Sequence, residues 1–282
     1  MEKNNFKLGI IGCPLSHSIS PAIQTAALNS CNFNGSYEKF EVSAENLEAK
    51  LNFFKKNNFK GFNITIPYKI EMLKYLDFVS PEVKKIGAVN TVKIAPNGTF
   101  NGYNTDISGF IQAIPKEHHK IKSAKILGCG GAALAVVFGL IELGAEDITI
   151  CARDLNKANK FVQSLQDKVD MTFKIENIND IKSLCDTDIL INATPLGTKG
   201  DNENFSPIKE ETLKTARKEM LVYDLVYNPQ QTLLIKTARD IGIQTINGLD
   251  MLIFQGAKSF EIWTGKKPSV EKMKTAAIKA LQ

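Results

Sequence analysis

The chain has 282 residues, 43% of them hydrophobic, which is enough for two domains that each bury a core. Lysine and arginine exceed aspartate and glutamate by 35 − 30, giving +5, but the positive residues are scattered, so we expect no nucleic-acid partner. The five cysteines contain no C-x-x-C pair, so we predict neither a disulfide framework nor a metal site.

The amino-terminal segment MEKNNFKLGIIG lacks the apolar stretch of a signal peptide. The longest apolar run, AALAVVFGLIELG, is interrupted by glycine and contains Glu142. We therefore expect a soluble cytoplasmic protein with no membrane partner.

Strand-like and helix-like segments alternate along the chain, which predicts an α/β fold built on mostly parallel sheets. In the first half we predict the strands LGIIG, SYEKFEV, GFNITI, AVNTVKI and TFNGYNT. The helices between them are opened by Ser20, Ser43 and Ser80, two of which precede proline. The polar segment PKEHHKIKSAK shows no periodicity and is the natural boundary region.

The second half begins AKILGCGGAALAVVFGLIELG and continues with strands at DITICAR, MTFKI, DILINAT and LVYDLVY. This alternation predicts a doubly wound, Rossmann-type domain. The segment from Leu249 to Gln282 is helical in pattern, and we expect it to pack back on the first domain. The predicted domains are therefore residues 1–105 with 249–282, and residues 106–248.

A glycine-rich turn follows the first strand of the second half. Gly128, Gly130 and Ala133 are spaced as G-x-G-x-x-A and lead into a helix. The first glycine permits a sharp bend, the second lets the backbone approach a pyrophosphate, and the third position allows close packing. The alternative is a purely structural turn, but the strand and helix on either side favour dinucleotide binding.

The next strand ends ICARD, where cofactor preference is usually decided. An acidic residue here binds the ribose hydroxyls of NAD, whereas an arginine accommodates the 2′-phosphate of NADP. The chain supplies both, as Arg153 and Asp154, and Lys157 adds a cation one turn later. We predict NADP, with NAD possible because of Asp154.

The segment GFNITIPYK raises the question of what its polar side faces. Ile64 and Ile66 alternate as in a half-buried strand, which leaves Asn63, Thr65 and Lys69 on the other face. That face can meet water or a ligand. Further polar clusters, GCPLSHSISP, AVNT and GYNTD, also lie where predicted strands end, so we expect all of them to converge on one cleft.

These motifs, together with GCGGAA and NGLDMLIFQGAKSFEIWTG, closely resemble the shikimate dehydrogenase family, including its quinate/shikimate-using relatives, over essentially the whole chain. The resemblance implies reversible reduction of 3-dehydroshikimate to shikimate, in aromatic amino acid biosynthesis. It also implies a substrate site between an N-terminal domain and a Rossmann domain. The oligomeric state stays open between monomer and homodimer.

The resemblance assigns roles to residues at matching positions. It implies that Lys69 and Asp106 are the catalytic pair, with Lys69 the general acid/base, and that the Ser16 and Ser18 hydroxyls hold the substrate carboxylate. The further implied substrate contacts are Thr65, Asn90, Tyr227 and Gln255. The implied cofactor contacts are Gly128, Gly130, Gly131, Ala132, Arg153, Lys157, Leu225, Gly248 and Met251.

The chain departs from the family pattern at several places. It reads SPAIQT where the family usually reads SPxxHN, and NATPLGT where NATSxGM is usual. Because the chain reads ARD where the family usually reads NRT, the choice between NADP and NAD stays open. Pro195 and Thr198 affect how a nicotinamide is seated.

The alternative functions are an NAD-using quinate/shikimate dehydrogenase, a non-catalytic sensor of shikimate-like ligands, and a folate-linked dehydrogenase.

Overall fold

The computed structural model describes residues 5–282, so the first four residues of the amino-terminal segment discussed above lie outside it. The chain divides into two compact units. One unit contains the described residues up to Gly109 together with Ile253–Gln282, and the other contains Phe110–Leu252.

Strands and helices alternate through both units. The strands are β1 (Asn5–Gly12), β2 (Asn34–Glu41), β3 (Phe59–Ile64), β4 (Phe78–Val79), β5 (Thr91–Ile94), β6 (Phe100–Tyr103), β7 (Ser123–Leu127), β8 (Asp147–Ala152), β9 (Lys174–Asn177), β10 (Ile189–Asn192), β11 (Leu221–Asp224) and β12 (Gln244–Asn247). The helices are α1 (Ser20–Ser30), α2 (Leu47–Lys56), α3 (Pro81–Ile86), α4 (Asp106–Ala113), α5 (Gly131–Glu142), α6 (Leu155–Gln166), α7 (Glu210–Leu213), α8 (Leu233–Asp240), α9 (Gly248–Thr264) and α10 (Val270–Leu281).

The first unit is built on a six-stranded sheet in the order β2-β1-β3-β5-β6-β4. Strand β1 is parallel to both β2 and β3, whereas β5 is antiparallel to β3 and β6. Since Ile11 of β1 pairs with Ile64 of β3, the carboxyl ends of these two strands lie at the same edge. The segments that follow them, which carry Ser16 and Lys69, therefore begin side by side.

One face of this sheet is covered by α2. Leu47, Leu51 and Phe54 recur at helical spacing and are all buried. The ring of Phe54 lies 4.4 Å from that of Phe59 and 4.9 Å from that of Phe62, between centroids. Burying each such aromatic side chain contributes roughly 1.5–3 kcal/mol, so this cluster is the main apolar core on that face.

The C-terminal helices return to the first unit, as expected. Trp263 of α9 donates its indole N–H to the Val92 carbonyl at 2.9 Å. A Cβ on Gly61 would lie 2.3 Å from the Trp263 ring, so only glycine permits this approach. At the start of α10, the Ser269 amide donates to Ser30 Oγ at 3.0 Å, which fixes α10 beside α1.

The second unit is built on a wholly parallel six-stranded sheet in the order β12-β11-β10-β7-β8-β9. This is the Rossmann strand order, with the first strand, β7, next to the crossover point. Strands β10 and β11 are buried along their whole length, as expected for central strands covered on both faces. The predicted doubly wound domain is confirmed.

Two short strands were not predicted from the sequence. Strand β4 has only two residues, and β12 is an edge strand whose Gln244 is exposed. Neither offers enough alternation to show a period of two. The helix α1 begins at Ser20 as predicted, but its N-cap residue is Ile19 and no side chain caps it.

Several observations describe the general chemistry of residues 5–282. None of their helices has the length and apolar character needed to cross a bilayer, and no three His, Cys, Asp or Glu side chains among them are grouped to hold a metal ion. All five cysteines are free thiols. Burial raises the pKa of the Cys151 thiol to about 12, so this thiol stays protonated at neutral pH.

Candidate active site

An ion pair between Lys69 and Asp106 lies at the centre of the candidate site. Lys69 Nζ lies 2.6 Å from Asp106 Oδ2, and the two side chains are 24% and 15% exposed. The Lys69 backbone is fixed because its carbonyl accepts a hydrogen bond from the Val89 amide at 2.8 Å. Asp106 is the first residue of α4, where the helix dipole favours a negative charge. The pair is thus held firmly but remains accessible to a ligand.

Asn90 orients the Asp106 carboxylate. The Thr105 backbone N–H, which can only donate, lies 2.9 Å from Asn90 Oδ1 and so identifies that atom as the acceptor. The Asn90 amide nitrogen consequently faces Asp106 and donates to its Oδ1 at 2.7 Å. Both Asp106 oxygens therefore accept hydrogen bonds, an arrangement that suits an ionised carboxylate.

Of two other candidate substrate residues, Gln255 contacts this group and Thr65 lies at the end of β3. Gln255 Oε1 lies 3.4 Å from the Asn90 amide nitrogen, which places Gln255 beside Asn90. Thr65 follows β3 directly, and its backbone N–H donates to the Ile11 carbonyl at 2.9 Å. A Cβ on Gly12 would lie 2.3 Å from the Thr65 methyl group, so glycine at that position makes room for Thr65.

The segment carrying Ser16 and Ser18 is held by two oppositely charged side chains of β2. The Leu15 backbone N–H donates to Glu41 Oε1 at 2.7 Å, and Lys39 Nζ donates to the Ser16 carbonyl at 3.1 Å. Ser16 is exposed and Ser18 is half-buried. Both hydroxyls therefore lie on a braced turn beyond the end of β1.

The expected alternation in GFNITIPYK is wrong beyond Ile64. Strand β3 ends there, and Ile66 is 64% exposed. Asn63 is 7% exposed and is not directed at a ligand, since its Oδ1 accepts from the Tyr37 hydroxyl at 2.7 Å. Pro67 lacks an N–H group, and a turn from Thr65 to Tyr68 replaces further extension.

The glycine turn of the second unit has the geometry of a dinucleotide cradle. Gly128 has φ +103°, a left-handed conformation that glycine adopts readily. A Cβ on Gly130 or Gly131 would meet nothing within 4 Å, so the backbone there is open to an approaching group. Gly131 and Ala132 begin α5, whose first N–H groups attract an anion.

The residues after β8 divide between a structural and a solvent-facing role. Asp154 is the N-cap of α6, and its Oδ1 accepts from the Lys157 backbone N–H at 3.0 Å. The side chains of Arg153 and Lys157 are exposed. One Asp154 oxygen is thus engaged in capping, while both cations remain available.

The remaining candidate residues of the second unit lie after β11 and at the start of α9. The Gly248 backbone N–H donates to the Val226 carbonyl at 3.1 Å, and a Cβ on Gly248 would lie 1.9 Å from the Leu225 carbonyl oxygen. Met251 is half-buried one turn into α9. Burial raises the pKa of the half-buried Tyr227, whose hydroxyl therefore remains a hydrogen-bond donor at neutral pH.

A fully buried carboxylate, Asp224, joins the segments that follow β10 and β11. Its Oδ1 accepts from Asn192 Nδ2 at 2.9 Å and from the Val226 backbone N–H at 3.0 Å, and its Oδ2 accepts from Thr232 Oγ1 at 2.6 Å. Burial raises the pKa of Asp224, and these three hydrogen bonds offset the effect only in part.

Asp224→Asn should become more stable relative to the wild type as pH rises. Because the folded pKa lies above that of the unfolded chain, about 3.9, the stabilising contribution of Asp224 is complete below the unfolded value. It is lost as pH rises through the folded pKa. The neutral Asn carries no such penalty and retains the Oδ1 acceptor. Denaturant unfolding of both proteins between about pH 4 and neutral pH measures the difference.

Asp188→Asn provides a control of opposite sign. Burial opposes ionisation of Asp188, but hydrogen bonds from the Ser123 and Lys122 backbones and from Arg217 outweigh it and lower its pKa. That contribution is present above the unfolded pKa and lost as pH falls through the folded value. The Asp188→Asn curve should therefore change mainly below about pH 4 and the Asp224→Asn curve above it, with opposite slopes, so the measurement is extended to more acidic pH. Parallel slopes would contradict the prediction for Asp224.

Sequence reasoning overlooked several residues that support the site. Lys39 and Glu41 lie in the predicted strand SYEKFEV but received no role. Ser259 lies in the quoted segment NGLDMLIFQGAKSFEIWTG but received no role. Its spacing of four residues from Gln255, which puts the two side chains on the same face of the helix, could have indicated a role at the site.

Family comparisons cover nearly the whole chain. Residues 10–92 match the shikimate dehydrogenase substrate binding domain, and residues 112–247 match the shikimate / quinate 5-dehydrogenase family. Residues 248–278 match the shikimate 5′-dehydrogenase C-terminal domain.

Individual relatives agree. A shikimate dehydrogenase (NADP(+)) of Methanococcus aeolicus is 43% identical over 276 residues, which are 97% of this chain and 97% of the relative. A crystal structure of a shikimate dehydrogenase in complex with NADP+ has a TM-score of 0.90 and 40% identity, covering 99% of this chain and 96% of that one. The Thermus thermophilus enzyme, in complex with NADP(H) and shikimate, has a TM-score of 0.84 and 34% identity, covering 98% and 100%. The chain therefore belongs to the shikimate dehydrogenase family, as its motifs led us to expect.

Proposed function

We propose that the protein is an NADP-dependent shikimate dehydrogenase, which reversibly reduces 3-dehydroshikimate to shikimate in aromatic amino acid biosynthesis. The observation that carries this function is the contact of Lys69 with Asp106, whose other oxygen is held by Asn90. The homology supports the same activity. A non-catalytic sensor would have no need of an accessible proton donor paired with a carboxylate.

The two parts of the chain divide the work. Residues 1–105 with 249–282 supply most of the substrate contacts, which is supported by the match of residues 10–92 to a substrate binding domain. Residues 106–248 bind the dinucleotide, which is supported by the parallel sheet and its glycine turn.

Lys69 is the proton donor of the reduction. Lys69 Nζ donates to Asp106 Oδ2 and Asn90 occupies Asp106 Oδ1, so Lys69 is the member of the pair placed to donate a proton to the substrate. When the nicotinamide cofactor is bound, it supplies the hydride. As the carbonyl double bond of the substrate breaks, its oxygen takes the proton from Lys69 and becomes a hydroxyl. In the oxidation direction the neutral amine takes that proton back.

The remaining polar residues hold the substrate. The hydroxyls of Ser16 and Ser18 bind its carboxylate, on the turn braced by Lys39 and Glu41. Its ring hydroxyls need short, rigid groups that combine donors and acceptors. These groups are supplied by Thr65, Asn90, Tyr227 and Gln255.

The glycine turn fits the pyrophosphate of the cofactor. The space beside Gly130 and Gly131 is open, and a Cβ at either position would occupy space that the pyrophosphate needs. Arg153 and Lys157 bind the 2′-phosphate of NADP, and the capping role of Asp154 lowers its availability to a ribose hydroxyl. The other cofactor contacts are Gly128, Ala132, Leu225, Gly248 and Met251.

We place the enzyme in the cytoplasm, since five free thiols suit a reducing compartment. It acts as a monomer or a homodimer, and light scattering of the purified protein separates these two states.

An absorbance assay at the nicotinamide band tests the function. With shikimate, reduction of NADP should proceed with a higher kcat/KM than reduction of NAD, because two cations face the 2′-phosphate. Quinate should be the poorer substrate. Comparable turnover of quinate with NAD would identify the quinate/shikimate alternative. Shikimate binding measured by calorimetry, without turnover of either cofactor, would identify a sensor.

A further inference from the structure

A buried cluster of hydroxyl and amide side chains lies behind Asn90 in the first unit. Thr91 and Ser259 are completely buried, Thr105 is 1% exposed and Asn63 is 7% exposed. These residues come from β3, β5, the segment after β6 and α9. Polar groups are costly to bury unless every partner is present, so a cluster of this kind favours a specific arrangement.

Ser259 joins the members of this cluster. Its Oγ lies 2.7 Å from Thr91 Oγ1 and 3.1 Å from Thr105 Oγ1, and it accepts from Asn63 Nδ2 at 3.1 Å. The two threonine hydroxyls are 3.4 Å apart, so each is closer to Ser259 than to the other. Ser259 Oγ also lies 2.9 Å from the Gln255 carbonyl oxygen, which competes with Thr91 for its single proton.

The threonines in turn fix the side chain of Asn90. Thr91 Oγ1 donates to Asn90 Oδ1 at 3.0 Å, and the Asn90 amide nitrogen donates to Thr105 Oγ1 at 2.9 Å. Each hydroxyl has a single proton, so its other bonds depend on a neighbour that donates or accepts as required. Because Thr91 gives its proton to Asn90, Ser259 donates to Thr91, and Thr105, which accepts from Asn90, can donate to Ser259.

We propose that Ser259 is a positioning residue for the reaction. Through Thr91 and Thr105 it holds the Asn90 amide that orients Asp106. This inference rests on the function proposed above. Ser259 touches neither substrate nor cofactor, and its effect reaches Lys69 only through Asn90 and Asp106.

Loss of the hydroxyl should slow the chemical step. In Ser259→Ala the threonines and Asn63 each lose a buried partner, and Asn90 can rotate away from Asp106. We expect kcat for shikimate oxidation to fall by roughly 10-fold to 100-fold, with the KM for NADP unchanged. The primary isotope effect on kcat, with shikimate deuterated at the carbon that loses hydride, should increase because hydride transfer becomes more rate-limiting.

Thr264→Ala is the matched control. Thr264 Oγ1 donates to the Phe260 carbonyl at 2.8 Å, the same bond within α9 that Ser259 makes to Gln255, but outside the cluster. This variant should keep the wild-type kcat and isotope effect. A merely structural role for Ser259 would lower the active fraction and leave the isotope effect unchanged, which would overturn the proposal.

A second pair of variants guards against misfolding of Ser259→Ala. Thr91→Val removes a hydroxyl while keeping the side-chain shape, and it should reproduce the lowered kcat and increased isotope effect. Thr91→Ser restores the hydroxyl and should recover most of the lost kcat. Equal kcat in Thr91→Val and Thr91→Ser would refute the proposal.

Failure of the proposed function and failure of this inference give different results. If the wild type does not oxidise shikimate, the proposed function is wrong. If the wild type is active and Ser259→Ala has the same kcat, only the role of Ser259 is wrong.

Discussion

Lys69→Ala should lower kcat for shikimate oxidation by roughly 10²-fold to 10⁴-fold, the contribution typical of a positioned general acid/base. The KM for shikimate should change little, because Asn90, Thr65 and Gln255 are retained. Asp106 loses its cationic partner but keeps the hydrogen bond from Asn90 at 2.7 Å. Steady-state kinetics in both directions measures the effect.

Lys74→Ala is the control for removal of a lysine–carboxylate pair. Lys74 Nζ lies 2.9 Å from Glu71 Oε1 on an exposed turn, five residues beyond Lys69. An exposed pair contributes only about 0–1 kcal/mol, so this variant should retain wild-type kcat. A small primary amine added to Lys69→Ala should restore part of the activity by replacing the missing proton donor. Wild-type kcat in Lys69→Ala without added amine would show that another group transfers the proton.

Gly248→Ala should destabilise the second unit by about 3 kcal/mol, which is the upper part of the usual range for forcing an extra methyl group into a packed site. The added Cβ would lie 1.9 Å from the Leu225 carbonyl oxygen and 2.5 Å from its carbon. These are backbone atoms, so no side-chain rotation relieves the clash. The start of α9 must move away from the segment after β11, which should also raise the KM for NADP.

Gly131→Ala is the control for adding a methyl group at the start of a helix. Its Cβ would meet nothing within 4 Å, and its φ lies outside the left-handed region. Replacing glycine at a compatible position typically stabilises by about 0.4–1 kcal/mol. Denaturant unfolding compares the two variants. An unfolding free energy for Gly248→Ala equal to that of Gly131→Ala would mean that the backbone accommodates the methyl group.

The second unit was the more predictable from sequence. Its strands β10 and β11 are mostly apolar, and Gly128 and Gly130 stand where a strand gives way to a helix, so each signal lies within a short stretch of chain. The edge strand β12 was missed because its four residues show no clear alternation.

The first unit was less predictable at its site. The family resemblance pointed to Lys69 and Asp106, which are 37 residues apart, and the structure shows their contact. The polar row through Asn63 and Thr65 was interpreted as one ligand-facing surface. The structure separates these two residues, because β3 ends at Ile64 and Asn63 is bonded inside the unit.

Local chain chemistry decided the order of strands and helices, the dinucleotide turn and the motifs that identify the family. These features depend on φ preferences, the period of apolar residues and neighbours within a few positions. The partners of Asn90 and the burial of Ser259 depended on the folded chain instead. Thr91 and Ser259 are 168 residues apart, and their hydroxyls meet only because α9 packs on the sheet of the first unit. The spacing of residues along the sequence does not predict such a contact, because the contact depends on how a whole helix packs against a sheet.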